Sequence, residues 1–297
     1  MNNIQNRKQN KYLVPLLLLV AFWPVLNWLF RNLTQGGLYG PEDVISIFSA
    51  LLVLLELHWT RKLKINEDDK REKIESNKSI GYLTCVVALY IVLQIAHMYF
   101  VLEPLPMLVQ EALFIVAVAP FLSRYILGSN FNLALFAMLF YCLPLYASME
   151  FFFSFPFRLL ATSGAALLLS VTGIPSSPHD TSMFVGHLAV PVSIEPACSG
   201  LRFFFAGQVL ACFLSLRLRL GPWQTILACL SALILALGAN ILRIASLSVL
   251  SCSSLVDSFS APGQVEMAHE AIGISSFIVT VVAAFLCVKF LRPVEPR

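Results

Sequence analysis

Long apolar segments separated by short polar ones follow one another along most of the chain. A membrane-spanning helix needs about 20 mainly apolar residues, and segments of roughly 17–25 are tolerated. By this measure the pattern predicts about eight transmembrane helices. They are Tyr12–Phe30, Val44–Trp59, Ile80–Leu102, Met107–Leu122, Phe131–Glu150, Leu201–Leu216, Trp223–Leu250 and Ala271–Leu291. We therefore predict an all-α polytopic membrane protein that forms a single membrane domain over residues 1–297, with five spans in 1–155 and three in 156–297.

A ninth apolar segment, Leu159–Ile174, is interrupted by Thr162, Ser163 and Gly164. We interpret it as an interfacial or re-entrant element on the extracytoplasmic side. The stretch that follows it, up to Cys198, is rich in Pro, Ser and Gly and has no helical period, so it predicts an outer loop made of turns and one short hairpin.

The basic residues fix the orientation of the predicted helices. Lys and Arg in short loops concentrate on the cytoplasmic side. With eight spans and a cytoplasmic N-terminus, the inner side receives 16 of the 20 basic residues, and only Arg31, Arg158, Arg202 and Arg243 lie outside or near the outer face. Both termini are then cytoplasmic. A full crossing by the ninth segment would move Arg217 and Arg219 outside, which is why we keep that segment on one side.

Composition agrees with a membrane protein. The chain is 58% apolar and 12% charged, with a mean hydropathy of +0.78, whereas a soluble domain carries about 25% charged residues. The net charge of +3 is small, so we expect no nucleic-acid partner. The seven cysteines include no CxxC pair, so the spacing predicts no metal site, disulfide or cofactor.

Three chemically active side chains fall at one depth of the membrane. Cys198 lies just before the sixth span, at the outer face. Arg243 comes twenty residues after Trp223, about 30 Å along that helix and close to its outer end. His269 opens the eighth span, which starts outside. Ionisable groups at such positions are costly and usually functional.

These three side chains are suited to acyl transfer from a peptide. A thiolate is the reactive form of cysteine, and a helix N-terminus or a nearby cation lowers its pKa. His269 can take the thiol proton and return it to the leaving amine, and Arg243 can stabilise an oxyanion or orient the carbonyl. Gly200 permits a tight turn, so N–H groups near Ser199 and Gly200 can face the same oxyanion.

Three further residues have two readings each. Glu195 is either a loop carboxylate or a group that orients His269 or Arg243. Arg202 either extends to the headgroups or holds a lipid phosphate or the substrate's carboxylates. Asn240, one turn before Arg243, either orients that arginine or is a structural polar residue.

At these positions the sequence resembles the exosortase/archaeosortase family of membrane transpeptidases. The resemblance rests on EPACSGLR (195–202), on NILRI (240–244) and on His269 followed by Gly273. It covers residues 156–297 well, whereas the first five spans match only in hydrophobicity. It implies that Cys198 is the nucleophile and that Arg243 and His269 are its partners. A histidine at the third position is similar to the bacterial members.

The resemblance also implies a substrate. Family members act on secreted proteins with a C-terminal tail made of a short motif, often Pro-Glu-Pro, a transmembrane helix and a basic cluster, and the family is linked to exopolysaccharide production. A bacterial inner-membrane protein with its site facing the periplasm is thus expected, with the acceptor open. Two alternatives stay open: a transporter or lipid-linked-sugar protein of polysaccharide export, and a protease that only hydrolyses. The absence of HExxH argues against a metalloprotease.

Overall fold

The computed structural model describes residues 41–64, 88, 92, 107–127, 131–143, 146–186, 191–195, 198–252 and 264–291. The chain divides into two compact units, Met1–Pro144 and Leu145–Arg297. Each unit is described by itself below. The first predicted span, and all of the third except residues 88 and 92, lie outside the described residues.

The described part of the first unit is helical. Helix α1 is Pro41–Lys64, and helix α2, Met107–Leu122, continues into a π-helical turn, Ser123–Leu127. The α2 bounds are those predicted for the fourth span, and α1 contains the predicted second span. Helix α3, Leu133–Tyr141, starts at Asn132, whose side chain accepts a hydrogen bond from the Leu135 N–H. Such a side-chain acceptor satisfies one of the unpaired N–H groups at a helix start.

The second unit combines four helices with a small sheet. Helix α4 is Tyr146–Val171, α5 is Leu201–Arg217, α6 is Pro222–Cys252 and α7 is Gln264–Phe290. Helices α5, α6 and α7 pack against one another, and α4 packs on α6. The predicted sixth and seventh spans are confirmed as helices nearly residue for residue, whereas α7 begins seven residues earlier than predicted.

The predicted fifth span, Phe131–Glu150, is wrong as a single helix. Helix α3 ends at Tyr141, and α4 begins only at Tyr146. The sequence between them contains Pro144. Proline lacks an N–H and disfavours a helical conformation in the residue before it, so a helix ends at or before that point.

The segment Leu159–Ile174, interpreted as a separate interfacial or re-entrant element, is not separate from the helix before it. Residues 159–171 form the second half of α4, a continuous helix of 26 residues. Thr162 keeps its hydroxyl within the helix by donating to the Arg158 carbonyl at 2.8 Å, a common way for threonine to be accommodated in a helix. At Gly164 a Cβ would lie 2.6 Å from Ile241 Cδ1, so this glycine permits close packing of α4 on α6 and does not interrupt the helix.

A three-stranded antiparallel sheet follows α4, so the fold is not purely helical. Strands β1, Ser176–His179, and β2, Ser182–Val185, form the predicted hairpin. The third strand, β3, Val192–Ser193, pairs with β2 and was not predicted, because two residues carry no detectable alternation. Buried side chains of β2, with Ile194, pack on α4 and α6 in the core cluster that also touches Cys198. The sheet thereby supports the segment that leads to the cysteine.

Three helices among the described residues are long and apolar enough to cross a membrane: Met149–Val171, Pro222–Ser251 and Glu270–Phe290. The structure therefore supports a mostly helical membrane protein, and the count of eight spans stays a prediction.

Candidate active site

Cys198 lies in a tight turn that is fixed by its own backbone. The Cys198 N–H donates to the Glu195 carbonyl at 2.9 Å, and the Leu201 N–H donates to Ser199 Oγ at 3.3 Å. Between them Gly200 has φ of 82°, a left-handed conformation that glycine adopts without steric cost. Helix α5 starts directly after this turn. The thiol is half-buried, and Ser199 is 2% exposed.

Residues from two neighbouring helices, α5 and α7, lie against the Arg243 guanidinium. Arg243 belongs to α6, and its Cζ lies 5.5 Å from the ring centroid of Phe203 on α5. Phe203 in turn contacts Phe277 of α7, with 5.9 Å between ring centroids. A Cβ at Gly273 of α7 would lie 3.6 Å from the arginine Nε and Nη2. The guanidinium is therefore held over an aromatic ring, a favourable contact for a cation, and has space because position 273 has no side chain.

The backbone places His269 on the same side of α7. Residues four apart lie one above the other on one face of a helix. Position 269 is four residues before Gly273, whose face is turned to Arg243. It therefore shares that face and lies one turn closer to the helix N-terminus.

Cys198 and Arg243 are coupled electrostatically. Burial raises the pKa of the Cys198 thiol; the positive charge of Arg243 lowers it, the Glu195 carboxylate raises it, and Arg202 lowers it. Arg243 and Arg202 lower the Cys198 pKa, as the sequence predicted, but the rise caused by burial is larger. Because the pKa is above its ordinary value, the resting thiol is protonated at neutral pH, and a nearby base is needed to form the thiolate.

Opposite changes in thiol reactivity are expected from two substitutions. Glu195→Gln removes a charge that raises the Cys198 pKa, so alkylation of Cys198 by iodoacetamide at pH 7.5 should accelerate by roughly two- to tenfold. Arg202→Gln removes a charge that lowers this pKa, so alkylation should slow by a similar factor. Mass spectrometry of the peptide that contains Cys198 gives the rates. Asp180→Asn, an exposed carboxylate in the β1–β2 turn, is the matched control, and equal rates in all variants would contradict the assignment.

The supporting residues have different surroundings. Glu195 and Arg202 are exposed, and neither forms an ion pair with a described residue. Asn240 is fully buried, and its Nδ2 donates to the Cys198 carbonyl at 3.0 Å. The contact of Asn240 is thus with the cysteine turn, whereas the sequence hypothesis linked it to Arg243.

Two site residues were missed by sequence reasoning. Phe203 belongs to an apolar Phe203–Phe205 run, in which nothing distinguishes the ring that meets Arg243. Arg158, in α4, donates from Nη1 to the Ile194 carbonyl at 3.4 Å, next to Glu195. Arg158 was detectable from the sequence, because a single arginine within an apolar segment usually has a role.

Together, a membrane-type helical core and a cysteine turn beside a fixed arginine define a class: a polytopic membrane protein with a thiol site. A family model agrees with this, since the transmembrane exosortase model matches residues 38–286. The chain belongs to that family, whose members are membrane cysteine proteases and transpeptidases that act on sorting signals of secreted proteins. Neither curated proteins nor solved structures gave a significant match.

Proposed function

We propose that this protein cleaves the C-terminal sorting tail of secreted proteins at the outer face of the bacterial inner membrane and transfers the new carboxyl end to an acceptor through a thioester on Cys198. The observation that carries this proposal is the tight turn of Cys198, whose carbonyl accepts a hydrogen bond at 3.0 Å from Asn240 of α6, one helical turn before Arg243. A transporter has no need of that arrangement.

The proposed roles follow from the chemistry of each side chain. The Cys198 thiol gives its proton to His269, and the resulting thiolate adds to the scissile carbonyl carbon. The carbonyl oxygen then carries a negative charge, which the Arg243 guanidinium stabilises. When the carbonyl re-forms, the C–N bond breaks, and the amine leaves with the proton from His269. An acceptor amine or water then attacks the thioester and releases the sulfur.

The outer location rests on charge distribution along the sequence. Replacing the predicted fifth span by the α4 crossing, Met149–Val171, exchanges one crossing for another. The number of crossings before Cys198 is therefore unchanged. The same 16 basic residues stay on the cytoplasmic side, as expected from the positive-inside rule. The Cys198 turn then faces the periplasm, where water or an acceptor can reach a thioester.

The partner is a substrate tail with an apolar helix. We infer that this helix lies in the bilayer beside α5–α7, with its basic end at the cytoplasmic surface, as expected from the positive-inside rule. This arrangement puts the peptide that precedes the helix at the outer interface, at the level of Cys198. No cofactor is required, and membrane lipid is the only other partner in the proposal.

The experiment uses the wild-type protein in liposomes with a secreted reporter that ends in a Pro-Glu-Pro motif, an apolar helix and a basic cluster. Hydroxylamine added during the reaction should yield a shortened reporter with a C-terminal hydroxamate, because a thioester reacts with this amine. A free carboxylate without hydroxylamine would indicate hydrolysis as the default outcome. An uncut reporter, or a cut product that never carries the hydroxamate, would overturn the thioester proposal.

A further inference from the structure

Arg158 is a charged residue of α4 whose guanidinium is mostly unpaired. The side chain is half-buried, and its Nη1 donates to the Ile194 carbonyl at 3.4 Å. The Nε is buried and has no hydrogen-bond partner among the described residues. A guanidinium has five N–H donors, so one long hydrogen bond leaves most of them unused. A buried donor of a charged group is costly to leave unpaired.

The positive charge of Arg158 is not neutralised by a carboxylate of the described residues. Glu195 follows the residue that Arg158 contacts, but its side chain is exposed and forms no ion pair within the described ranges. A charged residue within an apolar segment generally has a charged partner or a functional role. The charge of Arg158 is therefore available to an anionic group from outside the chain.

A second polar group on the same face of α4 also lacks a partner. Ser154 lies one turn before Arg158, and residues four apart lie one above the other on a helix. Ser154 is 8% exposed, and its Oγ has no hydrogen-bond partner in the part of the chain that the structure describes. Thr162 of the same helix, by contrast, donates to the carbonyl four residues earlier. This face of α4 thus has unused donors from two side chains.

The same part of α4 lies beside the cysteine turn. Ala161, three residues after Arg158, belongs to the buried cluster against which Cys198 packs. Ile194 belongs to that cluster too and precedes Cys198 by four residues, a length of chain that spans at most about 14 Å. An extended peptide advances about 3.4 Å per residue. A group bound by Arg158 is therefore within about five residues of the bond that Cys198 attacks.

We propose that Arg158 is a specificity-determining residue that binds the carboxylate of an acidic substrate residue close to the scissile bond. The inference rests on the proposed peptide cleavage and specifies part of its substrate. A carboxylate can accept two parallel N–H bonds from one guanidinium, and Arg158 has unused donors for them. Arg202 is exposed at the start of α5, where water screens its charge. The half-buried Arg158 binds an anion in less polar surroundings, where the attraction is stronger.

The wild-type protein in liposomes tests the inference with two reporters that differ at one side chain. The first has the glutamate of its Pro-Glu-Pro motif as the only acidic residue near the apolar helix, and the second has glutamine there. We expect kcat/KM to be about 10–100-fold lower for the glutamine reporter, because a charge-assisted hydrogen bond is lost. This comparison does not depend on the folding of a variant. Equal cleavage of both reporters would overturn the proposal.

Arg158→Gln connects the preference to this residue. It should cleave the glutamate reporter about 10–100-fold less efficiently than wild type, and its kcat/KM for the two reporters should agree within about threefold. Alkylation of Cys198 should stay within about twofold, because other residues supply the charges that act on the thiol. Arg217→Gln changes an exposed arginine in the last turn of α5 and is the matched control, with the wild-type preference expected.

Arg158→Glu provides a readout that a structural role would not move. This variant should prefer a reporter with lysine in place of the glutamate by at least about tenfold, because the charges of site and substrate are exchanged. If Arg158 only braces the Ile194 carbonyl, its substitution slows cleavage of all reporters by the same factor, and the specificity role is refuted.

The outcomes also separate this inference from the proposed function. If the wild type cuts neither reporter, the proposed function fails. If it cuts both equally well, cleavage stands and the carboxylate site is lost. A lipid phosphate is the other anion within reach of an outer-face arginine. In that case wild-type cleavage would rise with the fraction of phosphatidylglycerol in the liposomes, Arg158→Gln would not show this rise, and the charge of the reporter would have no effect. That result would overturn substrate recognition by Arg158.

Discussion

Replacing Cys198 by alanine is expected to abolish cleavage of the reporter, with a loss in kcat of at least about 10³-fold. Removal of a catalytic nucleophile generally leaves only the residual rate from binding and charge stabilisation. Serine should be almost as inactive, because a hydroxyl is a much weaker acid than a thiol and the proposed base is a histidine. Gel analysis of the shortened reporter in liposomes measures both variants.

Cys287→Ala is the matched control, because Cys287 is a half-buried thiol of α7 outside the nucleophile turn. It should retain wild-type cleavage. The export alternative makes the opposite forecast for Cys198: a transporter in which this cysteine is incidental keeps its transport after Cys198→Ala, and undiminished reporter cleavage by that variant would refute the thioester mechanism.

Helices α5, α6 and α7 were largely predictable because each has a long apolar run bounded by polar residues. The run Leu201–Leu216 has the same start as α5 and ends one residue before it. The prediction failed around α3 and α4, where the apolar pattern continues across the boundary between two helices. Hydropathy does not register that α3 ends at Tyr141, shortly before a proline in the sequence, while Pro156 lies within α4. Nor does it register that Gly164 serves the packing of α4 on α6.

The candidate site could likewise be predicted from the sequence only in part. Cys198 and Arg243 were detectable because reactive or charged groups are conspicuous in apolar surroundings. Depth along a helix, estimated from 1.5 Å per residue, brought them to one level. The contacts that surround them depend on side-chain packing, which sequence spacing does not encode. Phe203 and the Asn240 hydrogen bond to the Cys198 carbonyl are therefore known only from the structure.

The resting state of the thiol is the main revision to the chemistry. The sequence suggested a cysteine activated by neighbouring cations, whereas burial keeps the Cys198 pKa above its ordinary value despite Arg243 and Arg202. A protonated thiol is less readily oxidised than a thiolate. In the proposed mechanism, activation then requires a base that acts when the substrate is bound, the role proposed for His269.

Arg243→Gln is expected to lower kcat by about 10²–10³-fold, the typical cost of removing a group that stabilises an oxyanion. It should also slow alkylation of Cys198, because loss of the positive charge raises the thiol pKa further. Reporter cleavage and iodoacetamide labelling, followed over pH 6–9, measure the two effects separately.

Arg243→Lys distinguishes charge from geometry. A lysine keeps the positive charge but not the planar guanidinium that lies over Phe203, and the two side chains are not interchangeable at a stacked site. Alkylation of Cys198 should therefore stay within about twofold of wild type, while kcat falls by at least about tenfold. Arg217→Lys, in the last turn of α5, is the control for the exchange itself. If Arg243→Lys cleaves at the wild-type rate, Arg243 supplies charge alone, and oxyanion stabilisation by its positioned guanidinium is refuted.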